Sequence, residues 1–90
     1  MREEEQSRLI QRGREADRLL NDPTLTEAFE EAFAAAFGEF IATEADEGHE
    51  RDAIWATAQA LKLFKDLLAR YVSVGKLEEA NRNEDRKLSS

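Results

Sequence analysis

Several residue types that often support small proteins are missing or rare in this chain. Its 90 residues include no cysteine, one proline, one histidine and one tryptophan. Without thiols, neither disulfides nor a thiolate metal site can supplement a core that is near the lower size limit for an unaided domain. We therefore expect one cytoplasmic domain that is stabilised by partner chains.

Long apolar runs are missing as well. No run approaches the roughly 20 residues that a membrane-spanning helix requires. The sequence opens Met1-Arg2-Glu3-Glu4-Glu5, which lacks the apolar stretch of a signal peptide. We expect no membrane among the partners of this chain.

Positive charge is absent from the middle of the chain. Residues 22–50 hold nine acidic residues and no lysine or arginine, whereas residues 1–21 are neutral overall and residues 51–90 carry a net charge of +2. Duplex DNA binding depends on clustered basic side chains that neutralise phosphates. No segment has a large positive excess, so nucleic acid is disfavoured as a partner.

The first helix boundary is marked by an aspartate and a proline. Good helix formers predict a first helix over residues 2–20, in which Gly13 should cost about 1 kcal/mol relative to alanine. Asp22 is suited to cap a second helix whose first residue is Pro23, and Thr24 with Glu27 offers a competing capping box. We expect the second helix to begin within residues 22–25.

A polar turn and a late glycine set the remaining boundaries. Residues 43–48 predict a turn to which Thr43 or Asp46 contributes a cap. The third helix is expected over residues 49–74, with Gly75 as a C-terminal stop in a left-handed conformation. Beyond it, residues 76–90 form a polar tail that we expect to be partly mobile.

The second helix combines an aromatic stripe with acidic side chains. Four phenylalanines succeed one another at steps of four, four and three, which is a helical period, and they should face inward against the third helix. Gly38 lies beside them and is expected to admit close packing. The phenylalanines are Phe29, Phe33, Phe37 and Phe40, and the carboxylates expected to form an acidic, solvated surface are Glu27, Glu30, Glu31, Glu39 and Glu44.

The third helix is too apolar to be covered by one neighbour. Ile54, Leu61 and Leu68 repeat at seven residues and predict a seam, but large apolar residues also fall outside it. Large side chains of this kind resemble the anchors of protein interfaces. The expected interface residues are Trp55, Leu63, Leu67 and Tyr71.

These patterns predict an all-α fold for residues 1–90. The expected arrangement is an antiparallel helical hairpin with an additional N-terminal helix in a small bundle, with an ordered core over residues 7–75. The chain forms a single domain in this prediction.

Candidate chemistry is sparse. His49 lies three residues after Asp46 and beside Glu50, but no second histidine or thiolate completes a metal site. The acids Asp46, Glu47 and Glu50, and the pair Glu27 and Glu31, lack a visible pocket in which to act as general acid and base. We expect no enzyme, no metal and no cofactor.

Four short motifs are distributed over most of residues 19–77. They are Leu20-Asn21-Asp22-Pro23, Glu50-Arg51-Asp52-Ala53-Ile54-Trp55, Ala60-Leu61 and Gly75-Lys76-Leu77. In these motifs the sequence resembles small phage and prophage proteins of unassigned biochemical role. The resemblance implies an accessory protein of virion assembly or host interaction, located in the host cytoplasm or the virion.

The sequence thus favours a protein-interaction or assembly module that acts as a homo-oligomer, with another protein as a further partner. Two alternatives remain open. One is a small terminase-like DNA-packaging adaptor, whose ring would gather weak basic patches into a strong one. The other is an acidic decoy that imitates nucleic acid and inhibits a host protein.

Overall fold

The computed structural model describes residues 2–44 and 48–89, and the regular secondary structure in those ranges is entirely α-helical. The all-α prediction is therefore confirmed. Helix α1 spans Arg2–Leu20, α2 spans Pro23–Ala42 and α3 spans Gly48–Ser89. None of these described helices is both long enough and apolar enough to cross a membrane.

The break between α1 and α2 has the capping chemistry that its sequence predicts. Asp22 has an extended backbone, and its Oδ1 accepts a hydrogen bond of 2.9 Å from the Leu25 backbone N–H. Pro23 occupies the first helical position, where a missing N–H costs nothing. At the other end of α2, Thr43 Oγ1 donates to the Phe40 carbonyl oxygen at 2.7 Å. Asp46, the alternative cap, lies outside the described residues.

The predicted end of the third helix is wrong. Helix α3 passes through Gly75 and continues to Ser89, so residues 76–88, expected as a tail, are helical. A glycine ends a helix when it adopts a positive φ, and none of the described residues does so. Gly75 instead lies buried in the helix, against the backbone of α1.

The described residues divide into two compact units. Unit 1 consists of those within Met1–Asn21 and Leu67–Ser90, and unit 2 of those within Asp22–Asp66. Helix α3 contributes its first part to unit 2 and its last part to unit 1. Each unit is therefore a pair of helical segments with its own contacts.

Unit 1 is organised around two glycines. A Cβ atom built on Gly13 would lie 2.8 Å from both Gly75 Cα and the Tyr71 carbonyl oxygen, so the two backbones are in direct contact. Ile10, Ala16 and Leu68 are the buried apolar side chains of this unit. Such close approach is possible only where neither helix carries a side chain.

Polar contacts flank this glycine contact and define the helix direction. Gln6 Nε2 donates to Glu78 Oε2 at 3.1 Å, and Arg82 Nη2 donates to Ser7 Oγ at 2.6 Å. Arg12 in turn lies over Tyr71. Since residue numbers rise along α1 as they fall along α3, the two segments are antiparallel.

Unit 2 pairs α2 with the first part of α3. The ring centroids of Phe29 and Phe64 lie 5.8 Å apart, and Phe29 and Ala36 are buried. The expectation that all four phenylalanines of α2 face inward is wrong for Phe37, which is 66% exposed. The expectation that Gly38 admits close packing is also wrong, because a Cβ built there meets no described atom within 4 Å beyond the adjacent backbone of its own helix.

The exposure of Phe37 follows from the geometry of the stripe. A step of four residues advances about 400° around an α-helix, so each such step turns the side chain about 40° further. Two steps separate Phe29 from Phe37 and turn it away from the partner helix. Ala36 takes the inward position instead and is buried.

Candidate apolar interaction surfaces

An apolar groove lies between α2 and the first part of α3, within unit 2. Its volume is about 460 Å³, which is in the range of sites that hold a ligand or an anchoring side chain. No described polar side chain lines it, so the groove lacks the converging polar groups that orient a substrate. The lining residues are Phe33, Ala34, Ala36, Phe37, Phe40, Ile54, Trp55 and Ala58.

Two large aromatic residues that line this groove are exposed. Phe37 comes from α2 and Trp55 from α3, and their exposed fractions are 66% and 59%. Because both belong to unit 2, their side chains line one surface without any contribution from unit 1. Large aromatic side chains left in water at a concave surface are typical of protein-binding sites.

One of the rings that line the groove, Phe40, contacts a cation. The Arg51 guanidinium carbon lies 4.4 Å from the centroid of Phe40. Arg51 Nε is buried and has no hydrogen-bond partner among the described residues, and the ring offers this cation a favourable contact. Phe40 itself is half-buried.

The charge around the groove is strongly negative. Unit 2 contains eleven acidic and three basic residues, for a net charge of −8, whereas unit 1 contains nine and ten, for a net charge of +1. Helix α2 carries no basic residue. The acidic residues Glu27, Glu30, Glu31, Glu39 and Glu44 are all exposed.

A second apolar surface follows α3 and is here called the α3 stripe. It consists of Ala56, Ala60 and Leu63 in unit 2 and Leu67, which continues the spacing on the same helix. The steps of four, three and four match the alternating spacing of a coiled-coil seam. All four residues are exposed, Leu63 to 67% and Leu67 to 41%.

The four expected interface residues have different surroundings. Trp55 lines the groove, whereas Leu63 and Leu67 belong to the α3 stripe. Tyr71 is half-buried in unit 1, where the Arg12 guanidinium carbon lies 3.9 Å from its ring centroid. Tyr71 is therefore already engaged within one chain.

The metal and carboxylate hypotheses depend partly on residues outside the described ranges. Asp46 and Glu47 lie outside them, and His49 and Glu50 are exposed at the start of α3. Among the described residues no group of three or more acidic or histidine side chains is close enough to hold a metal ion. Glu27 and Glu31 are exposed on α2 rather than placed in a pocket.

Sequence reasoning missed two features. The contact between Gly13 and Gly75 was not foreseen, because only Gly13 lies in the interior of a predicted helix, whereas Gly75 has the local appearance of a helix stop. The contact of Arg51 with Phe40 was not foreseen either, although Arg51 lies one turn before Trp55 on the same helix. Phe40, Ile54 and Trp55 are among the residues that line the groove.

Comparison of the chain with protein families, with curated proteins and with solved structures gave no match.

Proposed function

We propose that this protein is a non-enzymatic assembly module whose copies associate through the α3 stripe. The observation that carries the proposal is the exposure of Leu63 and Leu67 on a helix face with coiled-coil spacing. Burial of such residues between copies removes apolar surface from water, worth about 1.5–3 kcal/mol for each fully buried leucine. In this proposal the antiparallel hairpin of α2 and α3, with α1 as an additional helix, is completed into a bundle by a second chain.

The small core within one chain supports the same proposal. Only five apolar side chains are buried among the described residues, whereas eight large ones are exposed. Monomeric domains of this size seldom leave so much apolar surface in contact with water. Association between copies would cover part of it.

The charges along α3 permit self-association. Between Arg51 and Asp66 the helix carries two acids and three bases, so two copies of this face do not strongly repel each other. Ala56 and Ala60 allow close approach of the helix backbones, and an identical stripe on each copy makes a two-fold contact self-complementary. The setting we propose, on the sequence resemblance alone, is a phage or prophage accessory protein.

The test is the mass of stripe variants in solution. In light scattering, the double variant Leu63→Ser with Leu67→Ser should have the mass of one chain, whereas the unmodified protein has a multiple of it. Phe37→Ser is the matched control, because Phe37 is as exposed as Leu63 but lies on the groove. An oligomer that persists in the double variant, or that is lost equally in the control, would reject the α3 stripe as the contact.

A second candidate function is the acidic decoy. It is favoured by the exposure of the acidic residues of α2 and by the absence of any base on that helix. A decoy should compete with duplex DNA for a basic host protein. If charge reversal at Glu27 and Glu30 leaves this competition unchanged, the decoy function is excluded. A gel-shift assay distinguishes the terminase-like adaptor from both other functions, because only an adaptor oligomer binds duplex DNA at low salt and slows its migration.

A further inference from the structure

We propose that the groove of unit 2 binds an amphipathic helix of another protein, and that this helix carries lysine or arginine beside its apolar residues. This inference goes beyond the proposed self-association, because the groove and the α3 stripe are different surfaces. The groove is lined by apolar side chains from two helices, with Phe37 and Trp55 exposed at its opening.

The shape of the groove favours a helix as its occupant. Two roughly antiparallel helical segments meet at Phe40 and Arg51 at one end and at Phe29 and Phe64 at the other. A third helix laid along such a pair places apolar residues at every third or fourth position into the groove, as in helix-in-groove recognition. Alanines at positions 34, 36 and 58 keep the groove wide enough for inserted side chains.

Charge selects among the helices that would fit. Glu30 lies seven residues before Phe37, and so on the same side of α2, two turns from the groove opening. Glu27 lies about one turn before Glu30 and is also exposed. A helix whose apolar residues bind at Phe37 therefore extends past these carboxylates, and basic side chains there form complementary pairs.

The same charges disfavour other occupants. A second copy that offered its α2 to the groove would bring an acidic helix without any base against another helix of the same kind. Anionic lipid surfaces and nucleic acid would be repelled in the same way. A basic amphipathic helix is the occupant that gains from both the apolar lining and the acidic surroundings.

Trp55 provides a direct measurement, because it is the only tryptophan of the chain and it lines the groove. Two synthetic amphipathic peptides of about five turns would be added to the full chain. They share leucines at helical spacing and differ only in having lysine or glutamate at the charged positions. We expect the lysine peptide to shift the Trp55 emission to shorter wavelength and to bind at least about 10-fold more tightly than the glutamate peptide.

Variants distinguish peptide binding at the groove from binding elsewhere on the chain. Phe37→Ser should lower the affinity for the lysine peptide by about 10-fold or more. Leu63→Ser, which alters the α3 stripe, should leave this affinity unchanged. Charge reversal by Glu27→Lys with Glu30→Lys should lower the affinity for the lysine peptide and raise the affinity for the glutamate peptide. Glu84→Lys, an exposed position in unit 1, is the matched control. Circular dichroism establishes that each variant is folded.

Three outcomes would overturn the proposal. The first is equal affinity for the two peptides, or no binding of either. The second is a stronger Trp55 response to anionic vesicles of phosphatidylcholine and phosphatidylserine, or to duplex DNA, than to the lysine peptide. The third is a Trp55 shift that follows protein concentration alone and disappears in Phe37→Ser, since this would place a second copy in the groove. Whether Leu63→Ser abolishes self-association tests only the α3 stripe and not peptide binding at the groove.

Discussion

Gly13 of α1 and Gly75 of α3 are in backbone contact, such that a Cβ atom on Gly75 would lie 2.9 Å from Gly13 Cα and 3.2 Å from the Leu9 carbonyl oxygen. Both neighbours are main-chain atoms, which cannot rotate away as a side-chain tip can. The contact therefore fixes the distance between the two helical segments of unit 1.

We predict that Gly13→Ala destabilises the protein by about 1–3 kcal/mol, because the added methyl group forces two packed backbones apart. Gly38→Ala is the control, since a Cβ there meets no described atom within 4 Å and alanine favours a helix by about 1 kcal/mol. Denaturant unfolding at one fixed protein concentration measures both variants. The account of the glycine contact fails if Gly13→Ala is stabilising to the same degree as Gly38→Ala.

Phe29 and Phe37 test how the stripe of α2 is oriented. Phe29 is 9% exposed and contacts Phe64, so Phe29→Ala should cost about 3–4 kcal/mol of unfolding free energy. Phe37→Ala removes a side chain that is mostly in water and should cost less than about 1 kcal/mol. Equal losses at the two positions, measured by the same unfolding experiment, would mean that Phe37 is buried in solution.

The Arg12 and Tyr71 pair should show a measurable coupling. The guanidinium lies 3.9 Å from the ring centroid, and Arg12 Nε is buried without a hydrogen-bond partner among the described residues. A double-mutant cycle with Arg12→Met and Tyr71→Leu should give a coupling free energy of about 0.5–1 kcal/mol. The exposed ion pair of Arg14 and Glu79 is the comparison, with a smaller coupling that falls as salt is added. A coupling near zero between Arg12 and Tyr71 would contradict their stacked geometry.

Local chemistry was predictable from the sequence, and contacts between distant segments were not. Asp22 and Pro23 define a helix start through atoms within three residues, so their pattern alone indicates the boundary. Gly75 has the same local appearance as a helix stop, but its role depends on Gly13, which is far away in the sequence. Nothing adjacent to Gly75 distinguishes a stop from a close contact.

The orientation of the apolar residues was predictable only in part. Regular spacing placed Phe29 inward, but the drift of steps of four exposes Phe37. Trp55 and Leu63 were recognised as residues that the hairpin seam does not use, and both are exposed. That Trp55 shares a groove with Phe37, whereas Leu63 lies on the α3 stripe, depends on the pairing of α2 with α3.

The most direct test of self-association is sedimentation equilibrium of the unmodified full chain at high micromolar concentration. Because one chain has a mass of 10.3 kDa, we expect a mass at high concentration that is an integer multiple of this value and that falls toward 10.3 kDa on dilution. A mass of 10.3 kDa at every concentration would contradict the proposal that copies of this protein associate through α3.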